Sequence, residues 1–214
     1  MNAIIHKWKN LKSRLRSQRF YENLEAVRLR LKKIGIYIQA NHFYASSPKS
    51  PPRIPSVPEF MFRTITIDEV DILTSVDGKD GEIFRQRISE YEDECNGMYF
   101  KNQLVGYAWL ARKRMRMPEI RFERSLRNNE IYAYDGVINP NLGRIGGFIR
   151  IYLLHLLKEA ASSGGTLIST TSFTNRKVTR LLFRLGYSYI GTCIYINLWK
   201  LVKFRFNTLK KYQK

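Results

Sequence analysis

The sequence predicts an α/β domain preceded by a basic helical extension. Hydrophobic residues make up 44% of the 214 positions, which is enough for a packed core. From residue 59 onwards, segments with strand-like alternation and segments with helical periodicity follow one another in mixed order. A stretch rich in proline and serine separates this part of the chain from the N-terminal region. These three observations favour one sizeable folded domain with an N-terminal extension.

Residues 1–45 are predicted to form a basic amphipathic helical extension. The apolar residues Ile4, Trp8 and Leu11 fall on one helical face, and the helical periodicity extends the predicted helix over residues 2–40. Residues 46–58 contain several prolines, which neither a helix nor a central strand accommodates, so this segment is predicted to be a linker. The domain itself is predicted over residues 59–214.

Six strands and four helices are predicted within the domain. The predicted strands are Phe60–Ile67, Met98–Phe100, Leu104–Ala111, Glu130–Ile138, Thr166–Thr171 and Tyr187–Trp199. The predicted helices are Asp68–Ser75, Glu82–Glu94, Phe148–Ala161 and Asn175–Leu185. The second and third strands flank Lys101-Asn102-Gln103, so they are predicted to form a hairpin.

The composition argues against a membrane-spanning, metal-binding or disulfide-linked protein. No stretch approaches the roughly 20 apolar residues that span a bilayer. The first residues lack the apolar run of a secretory signal. Cys95 and Cys193 stand apart, without the spacing of a metal site. The sequence therefore predicts a cytoplasmic protein with reduced thiols and no metal.

The positive charge is concentrated at the two ends of the chain. The formal net charge is +19, and it comes from residues 1–60 and 176–214, because residues 61–175 contain 15 basic and 15 acidic side chains. Such ends suit an anionic partner: a phosphorylated cofactor, an anionic lipid surface, an acidic carrier protein or nucleic acid. Solvated charge without a dedicated partner is the alternative.

A glycine-rich turn between a strand and a helix is the most informative segment of the sequence. Residues 137–148 read Val-Ile-Asn-Pro-Asn-Leu-Gly-Arg-Ile-Gly-Gly-Phe. Glycines allow close approach to the backbone, and the N-terminus of the following helix favours negative charge, so the turn is predicted to bind a phosphate or pyrophosphate. The segment matches neither a P-loop nor the GxGxxG pattern. An ordinary loop with tight turns is the alternative interpretation.

A second segment, Ser172-Phe173-Thr174-Asn175, precedes a helix that ends in Leu185-Gly186-Tyr187. In order and spacing the two segments together resemble the GNAT superfamily of acyl-CoA-dependent N-acyltransferases. The resemblance implies a mixed, mostly antiparallel central sheet flanked by helices, with acetyl-CoA as co-substrate and no metal. The residues that it assigns to coenzyme A binding are Val137, Ile138, Gly143, Arg144, Ile145, Gly146, Gly147, Phe148, Asn175 and Arg180.

The resemblance also implies direct attack of an amine on the thioester, with the backbone N–H of Val137 or Ile138 polarising the carbonyl. Glu130, Tyr132 and Tyr134 alternate along one strand face and are predicted to supply the base, with Glu130 the most conventional choice. Asp135 is expected on the opposite face. Packing of these side chains in the core is the alternative.

The tyrosine with which many GNAT enzymes protonate the departing thiolate corresponds here to Leu182. Water, Tyr187 or Tyr189 is expected to replace it.

The acceptor is predicted to be an amine-bearing small molecule or sugar. A faint resemblance to acetyltransferases associated with bacterial cell-surface polysaccharide points the same way. The first helix has the pattern of a helix that lies in an anionic membrane surface, which predicts peripheral contact with the inner membrane face. Packing of this helix on the domain is the alternative, and nucleic acid is a less favoured partner. A non-catalytic basic binding module of the same fold, acting at nucleic acid or an anionic membrane, is the rival function.

Overall fold

The computed structural model describes residues 18–53, 60–139 and 145–209 of the chain. The described residues divide into two compact units. The terminal unit comprises residues 18–43, 171–184 and 189–209, and the central unit comprises residues 44–53, 60–139, 145–170 and 185–188. In the described ranges, no helix is long and apolar enough to cross a membrane.

The predicted N-terminal helix is shorter than expected. Helix α1 covers Gln18–Lys33, and strand β1 follows at Ile36–Ser46. The helix prediction was therefore wrong for residues 36–40. Gly35 adopts a φ of +85°, a left-handed conformation that ends a helix, and the β-branched and aromatic residues after it favour a strand. The part of the prediction before residue 18 lies outside the described residues.

A five-stranded mixed sheet, in the order β8-β7-β4-β3-β2, organises the central unit. The pairs β2–β3, β3–β4 and β4–β7 are antiparallel, whereas β7 and β8 are parallel. This arrangement confirms the predicted mixed, mostly antiparallel sheet. The strands are β2 (Phe60–Ile65), β3 (Glu94–Phe100), β4 (Gln103–Ala111), β7 (Glu130–Ile138) and β8 (Thr166–Ser172).

Two hairpins shape this unit. The predicted hairpin of β3 and β4 is confirmed, and Lys101 and Asn102 at its tip both have positive φ, as a two-residue turn of this type requires. Strands β5 (Arg114–Met117) and β6 (Phe122–Ser125) form a second hairpin that the sequence patterns did not reveal. The two strands span only four residues each, too few for a periodicity to register.

Helices cover both faces of the central sheet. Val70 and Leu73 of α2 (Val70–Asp77) and Phe84 of α3 (Gly81–Ser89) pack in one buried cluster with Ile65, Tyr107 and other sheet residues. Helix α4 (Ile145–Ser162) lies on the other face, because its His155 stacks on Phe62, which is three residues from Ile65 along β2 and therefore points the opposite way.

Strands β10, β9 and β1 adjoin in that order in the terminal unit. Strand β9 (Ser188–Leu198) confirms the last predicted strand, and β10 (Val202–Asn207) pairs with it antiparallel. Helix α5 covers Arg176–Arg184, within the predicted range.

Candidate active site

The candidate site is built on the second half of β7. The parallel pairing of β7 with β8 runs from Glu130↔Thr166 to Ala133↔Ser169. Strand β7 continues past the last of these pairs for five residues, to Ile138. Over this stretch the edge that had faced β8 lies outside the ladder. A backbone edge that leaves its neighbouring strand presents main-chain groups to a ligand, as in the addition of a strand to a sheet.

A β-bulge occurs at the point where β7 leaves the ladder. Tyr134 lies opposite Trp109 and Val137 lies opposite Tyr107, so Asp135 and Gly136 together face a single residue of β4. Asp135 has a φ of 48°, a conformation that costs a non-glycine residue of order 1–3 kcal/mol. Bulges of this kind redirect side chains and backbone groups next to functional sites.

The bulge overturns one expectation about side-chain direction. Asp135 was expected on the face opposite to Tyr134, because residues alternate along a regular strand. Arg87 nevertheless contacts both, since its guanidinium lies 5.1 Å from the Tyr134 ring centroid and donates to Asp135 over 2.8 Å. The extra residue in the bulge breaks the alternation, so the Asp135 carboxylate lies on the same side as Tyr134.

The backbone beyond the bulge turns its Ile138 N–H away from β4. The amide of Asn139 donates to the Val105 carbonyl at 2.9 Å, and in the same register Val137 pairs with Tyr107 and Ile138 with Gly106. Because amide directions alternate in an antiparallel pair, Val137 and Asn139 point towards β4 and Ile138 points away. Of the two donors that the sequence left open, Ile138 therefore has the direction required.

A cationic pair holds the bulge in place. Lys79 donates to both carboxylate oxygens of Asp135, at 2.9 and 2.8 Å, and Arg87 adds a third hydrogen bond. Burial alone would raise the pKa of Asp135, but the hydrogen bonds and charges of Lys79 and Arg87 outweigh it and leave the pKa below its ordinary value. Asp135 thus remains ionised at neutral pH.

The turn between α2 and α3 is fastened to the sheet at the same level. Asp77 accepts a hydrogen bond of 2.5 Å from the hydroxyl of Tyr107, which lies opposite Val137. The Lys79 amide donates to the other Asp77 oxygen at 2.9 Å. These contacts fix residues 77–80 beside the last residues of β7.

A tyrosine–carboxylate pair occupies the same face. The Tyr134 hydroxyl donates to Asp93 Oδ2 over 2.6 Å, and Tyr132 stacks on Tyr134 with ring centroids 5.2 Å apart. Asp93 is buried, and burial raises its pKa to about 6 against the lowering effect of Tyr134 and two arginines. Its second oxygen, Oδ1, is buried without a hydrogen-bond partner among the described residues. The pair can therefore take up a proton near neutral pH.

Glu130 lies at the other end of the strand. It is buried, accepts a hydrogen bond from Arg124 at 2.8 Å and from the Arg127 amide at 3.1 Å, and is separated from Ile138 by eight residues. At about 3.3 Å per residue, this separation is roughly 25 Å along the strand. The structure thus brings Tyr132 and Tyr134 together, but it does not bring Glu130 to the Ile138 amide.

Two further hydroxyls lie where the β7–β8 ladder ends. Ser169, the last paired residue of β8, and Tyr187 both have buried hydroxyls that make no hydrogen bond of normal geometry among the described residues. Burial raises the pKa of Tyr187, and the neighbouring Ser169 hydroxyl offsets part of the rise. Tyr187 therefore keeps its proton at neutral pH and has it available for donation.

The glycine-rich turn is described only in part. Gly143 and Arg144 lie outside the described residues, and Ile145 and Gly146 belong to the backbone of the first turn of α4. Gly147 is exposed, and a Cβ atom there would meet no other described atom within 4 Å, so no other described residue covers the helix at this position. Phe148 instead packs its ring against Phe60, with centroids 5.4 Å apart.

The remaining predicted residues belong to the terminal unit. Asn175 caps helix α5, because its Oδ1 atom accepts a hydrogen bond from the Val178 amide at 3.3 Å. Arg180 is exposed on α5, and Leu182 is buried. The coenzyme A contacts assigned to Asn175 and Arg180 stay predictions.

No pattern in the sequence pointed to Asp93, Lys79 or Arg87. Each acquires its role through contacts with residues at least 40 positions away in the chain, which no local pattern encodes. The raised pKa of Asp93 comes from burial, which the sequence does not display. The two aspartate–glycine pairs at residues 77–81 are typical of a turn, but no local pattern encodes the attachment of this turn to the bulge.

Comparison with known proteins identifies the architecture. No family model matches the sequence, and no curated protein does. A putative GNAT-family acetyltransferase from Novosphingobium aromaticivorans superposes with a TM-score of 0.53 at 12% identity, over 75% of this chain and 65% of that one. A GNAT-family acetyltransferase from Colwellia psychrerythraea gives a TM-score of 0.52 at 12% identity, over 80% and 57%. The fold is that of the GNAT acetyltransferases.

A Drosophila protein superposes with a TM-score of 0.53 at 17% identity, over 81% of this chain and 56% of that one. The chain thus spans between 56% and 65% of the length of these three structures. At such low identity the likeness concerns the fold alone.

Proposed function

We propose that this protein transfers an acyl group, acetyl or another short chain, from coenzyme A to a primary amine. The observation that carries the proposal is the open edge of β7, where the Ile138 N–H points away from β4 just past the bulge. A thioester carbonyl placed on this edge accepts that N–H, and the negative charge that develops on the oxygen is stabilised at the position where it forms.

Helix α4 follows β7 in the chain after six intervening residues, so its N-terminus is the proposed site for the coenzyme A diphosphate. Backbone N–H groups at a helix N-terminus and the helix dipole favour phosphate. The helix begins at Ile145, and the open space around Gly147 leaves room for the ligand. The buried hydroxyls of Ser169 and Tyr187, which make no hydrogen bond of normal geometry among the described residues, supply polar partners for an arm that runs between the diphosphate and the thioester.

In the proposed reaction, the neutral amine attacks the thioester carbon while the Ile138 N–H holds the carbonyl oxygen. Tyr134 is the one member of the predicted group that belongs to the open part of β7. Its oxygen receives the amine proton as its own hydroxyl proton passes to Asp93 Oδ2 over 2.6 Å. The carbon–sulfur bond then breaks, and Tyr187 protonates the departing thiolate in place of the residue at the Leu182 position.

The acceptor remains an amine of unspecified identity, and a small molecule or sugar amine stays the prediction. The cationic side chains beside the site, Lys79 and Arg87, are balanced by the two carboxylates of Asp77 and Asp135, so they do not by themselves favour an anionic acceptor. The association with cell-surface polysaccharide also stays a prediction, as does a cytoplasmic location.

Titration calorimetry with coenzyme A, followed by a thiol-release assay with acetyl-CoA and a panel of primary amines, tests the proposal. Binding of coenzyme A together with amine-dependent thiol release supports it. Absence of heat and of thermal stabilisation by either coenzyme refutes it and favours the non-catalytic binding module. Binding of coenzyme A without thiol release for any amine would support a coenzyme A site on this fold but would contradict acyl transfer.

A further inference from the structure

Most of the net positive charge of the described residues belongs to the terminal unit. Its described residues include 12 lysines and arginines against 2 acidic residues, whereas the described residues of the central unit include 16 against 15. The two acidic residues, Glu22 and Glu25, both belong to α1, and Glu25 is paired with Arg28. A unit with a formal charge of +10 attracts an extended anionic partner.

Exposed apolar side chains accompany this charge at one place in the unit. All residues from Trp199 to Phe206, the turn between β9 and β10 and nearly all of β10, are exposed. Leu201 is 85% exposed, Trp199 is 59% exposed, and Ile34 in the turn between α1 and β1 is 59% exposed. Large apolar side chains exposed together mark an interaction surface rather than an ordinary surface.

The two turns form one preorganised surface. The Trp199 amide donates to the Gly35 carbonyl at 2.7 Å, and the Trp199 ring covers Gly35 so closely that a Cβ there would lie 2.6 Å from ring atom Cδ1. We call the surface made by Lys32–Gly35 and Trp199–Lys203 the hairpin tip. Its apolar residues are interleaved with Lys32, Lys33, Lys200 and Lys203, all of them exposed.

We propose that the hairpin tip docks on an anionic lipid bilayer. Trp199 suits the headgroup level, where tryptophan is enriched in membrane-bound proteins, and the aliphatic Ile34, Leu201 and Val202 suit the acyl boundary beneath it. The four lysines contact the anionic headgroups. Each basic residue close to an anionic leaflet strengthens binding about fivefold, so four are enough to convert weak insertion into stable attachment.

Two other partners fit the surface less well. A nucleic acid uses lysines for its phosphates and aromatic rings for its bases, but it leaves exposed aliphatic side chains such as Leu201 without a function. A second copy of the chain pairing along the β10 edge would bring Lys203 and its neighbours against the same lysines, and edge lysines of this kind oppose strand pairing.

Cosedimentation of the full chain with vesicles tests the proposal. We expect binding to vesicles made of equal parts phosphatidylcholine and phosphatidylserine, and little binding to phosphatidylcholine alone. The double substitution of Lys200 and Lys203 to Glu reverses two charges and should weaken binding by at least about 30-fold. The matched control is the double substitution of Lys49 and Arg53 to Glu, which changes the net charge equally in the central unit and should leave more than a tenth of the affinity.

The apolar contribution is tested separately. Leu201→Asp should lower the affinity about tenfold or more, whereas Ile83→Asp, at a residue 45% exposed on α3, should not. Both native cysteines are buried, so a Leu201→Cys variant can be labelled selectively with an environment-sensitive dye. Quenching of that dye by lipids that carry a quencher in the acyl chain is expected, and the same dye on an Ile83→Cys variant should not be quenched.

Equal losses in the tip variants and their controls would overturn the proposal, as would an unquenched dye at position 201. Binding to duplex DNA that the Lys200 and Lys203 substitutions abolish, without binding to anionic vesicles, would assign the surface to nucleic acid instead. A concentration-dependent dimer that Leu201→Asp dissociates, again without vesicle binding, would assign it to self-association. Circular dichroism of each variant establishes that it is folded.

Discussion

Asp93 offers a test that separates a functional carboxylate from a structural one. The side chain is 5% exposed, and its pKa rises from 3.8 to about 6 because burial disfavours the ionised form. At 1.36 kcal/mol per pKa unit, keeping this group ionised costs the folded protein about 3 kcal/mol. Asp93→Asn removes that cost and keeps an oxygen that can accept the hydrogen bond from Tyr134.

The pH dependence of the effect has a definite sign. Below about pH 3.8 the carboxyl group is protonated in both the folded and the unfolded chain, and there is no electrostatic cost. Between pH 3.8 and 6 the unfolded chain releases the proton while the folded protein retains it, so the free energy of unfolding of the wild type falls as pH rises. Above pH 6 both forms are ionised and the full cost remains.

The difference in unfolding free energy between Asp93→Asn and the wild type should therefore grow from pH 4 to pH 7. We expect a gain of about 1–2 kcal/mol for the variant at pH 7, less than the full cost, because the new amide group would be buried where Asp93 Oδ1 has no hydrogen-bond partner among the described residues. Urea unfolding at several pH values measures it. The variant should also lose about 100-fold in turnover, since it cannot accept a proton.

If Asp93 is a proton acceptor that the folded protein keeps ionised at an energetic cost, Asp93→Asn should be more stable and less active than the wild type. Parallel stability curves for the wild type and the variant from pH 4 to 7 would refute the reasoning, because they would mean that Asp93 titrates normally. Retained turnover in a stabilised variant would place the proton acceptor elsewhere.

Three further substitutions probe the same site. Tyr134→Phe should lower turnover about 100-fold. It also removes a hydrogen bond that lowers the pKa of Asp93, so in this background the pH midpoint of the stability difference between Asp93→Asn and its parent should move above 6. Tyr132→Phe is the control, and an equal loss of turnover in both variants would contradict the role of Tyr134. Gly106→Ala should lower the free energy of unfolding by about 2 kcal/mol, because the new methyl group would lie 2.6 Å from Ile138 Cδ1 and 2.7 Å from the Val137 carbonyl oxygen; urea unfolding indistinguishable from wild type would contradict the close approach of β4 and β7. Tyr187→Phe should slow thiol release about tenfold at saturating acetyl-CoA, beyond any loss of coenzyme A affinity that calorimetry measures, whereas unchanged release would favour water as the proton donor.

The elements of the fold that local patterns encode were predictable from the sequence. Strand β7 has the predicted bounds, Glu130–Ile138, and the hairpin predicted from the two segments that flank Lys101-Asn102-Gln103 is present, with its turn at Lys101 and Asn102. The helix prediction failed for residues 36–40 because it carried the apolar periodicity of α1 past Gly35, whose left-handed conformation ends the helix. The β-branched and aromatic residues that follow favour a strand, but the strands with which they pair are not encoded locally.

The site was less predictable than the fold for a related reason. A regular strand would place Glu130, Tyr132 and Tyr134 on one face and Asp135 on the other, and the β-bulge invalidates this rule from Asp135 onwards. Asp93 precedes a strand as an unremarkable acid in the sequence, and only burial and the Tyr134 hydroxyl give it an altered pKa. Tertiary contacts between distant segments determine both features.

The role of the Ile138 amide can be tested in a single measurement that needs no knowledge of the acceptor. Ile138→Pro removes the N–H that points away from β4 and leaves the β4 hydrogen bonds of Val137 and Asn139 in place, whereas Ile138→Ala removes the side chain and keeps the N–H. Infrared spectroscopy of acetyl-CoA labelled with carbon-13 at the thioester carbonyl reports the hydrogen bond directly. We expect a shift of the carbonyl band to lower frequency on binding to the wild type and to Ile138→Ala, and a return to the solution frequency in Ile138→Pro. A bound carbonyl with the same frequency in all three proteins would contradict the hydrogen bond from the Ile138 N–H.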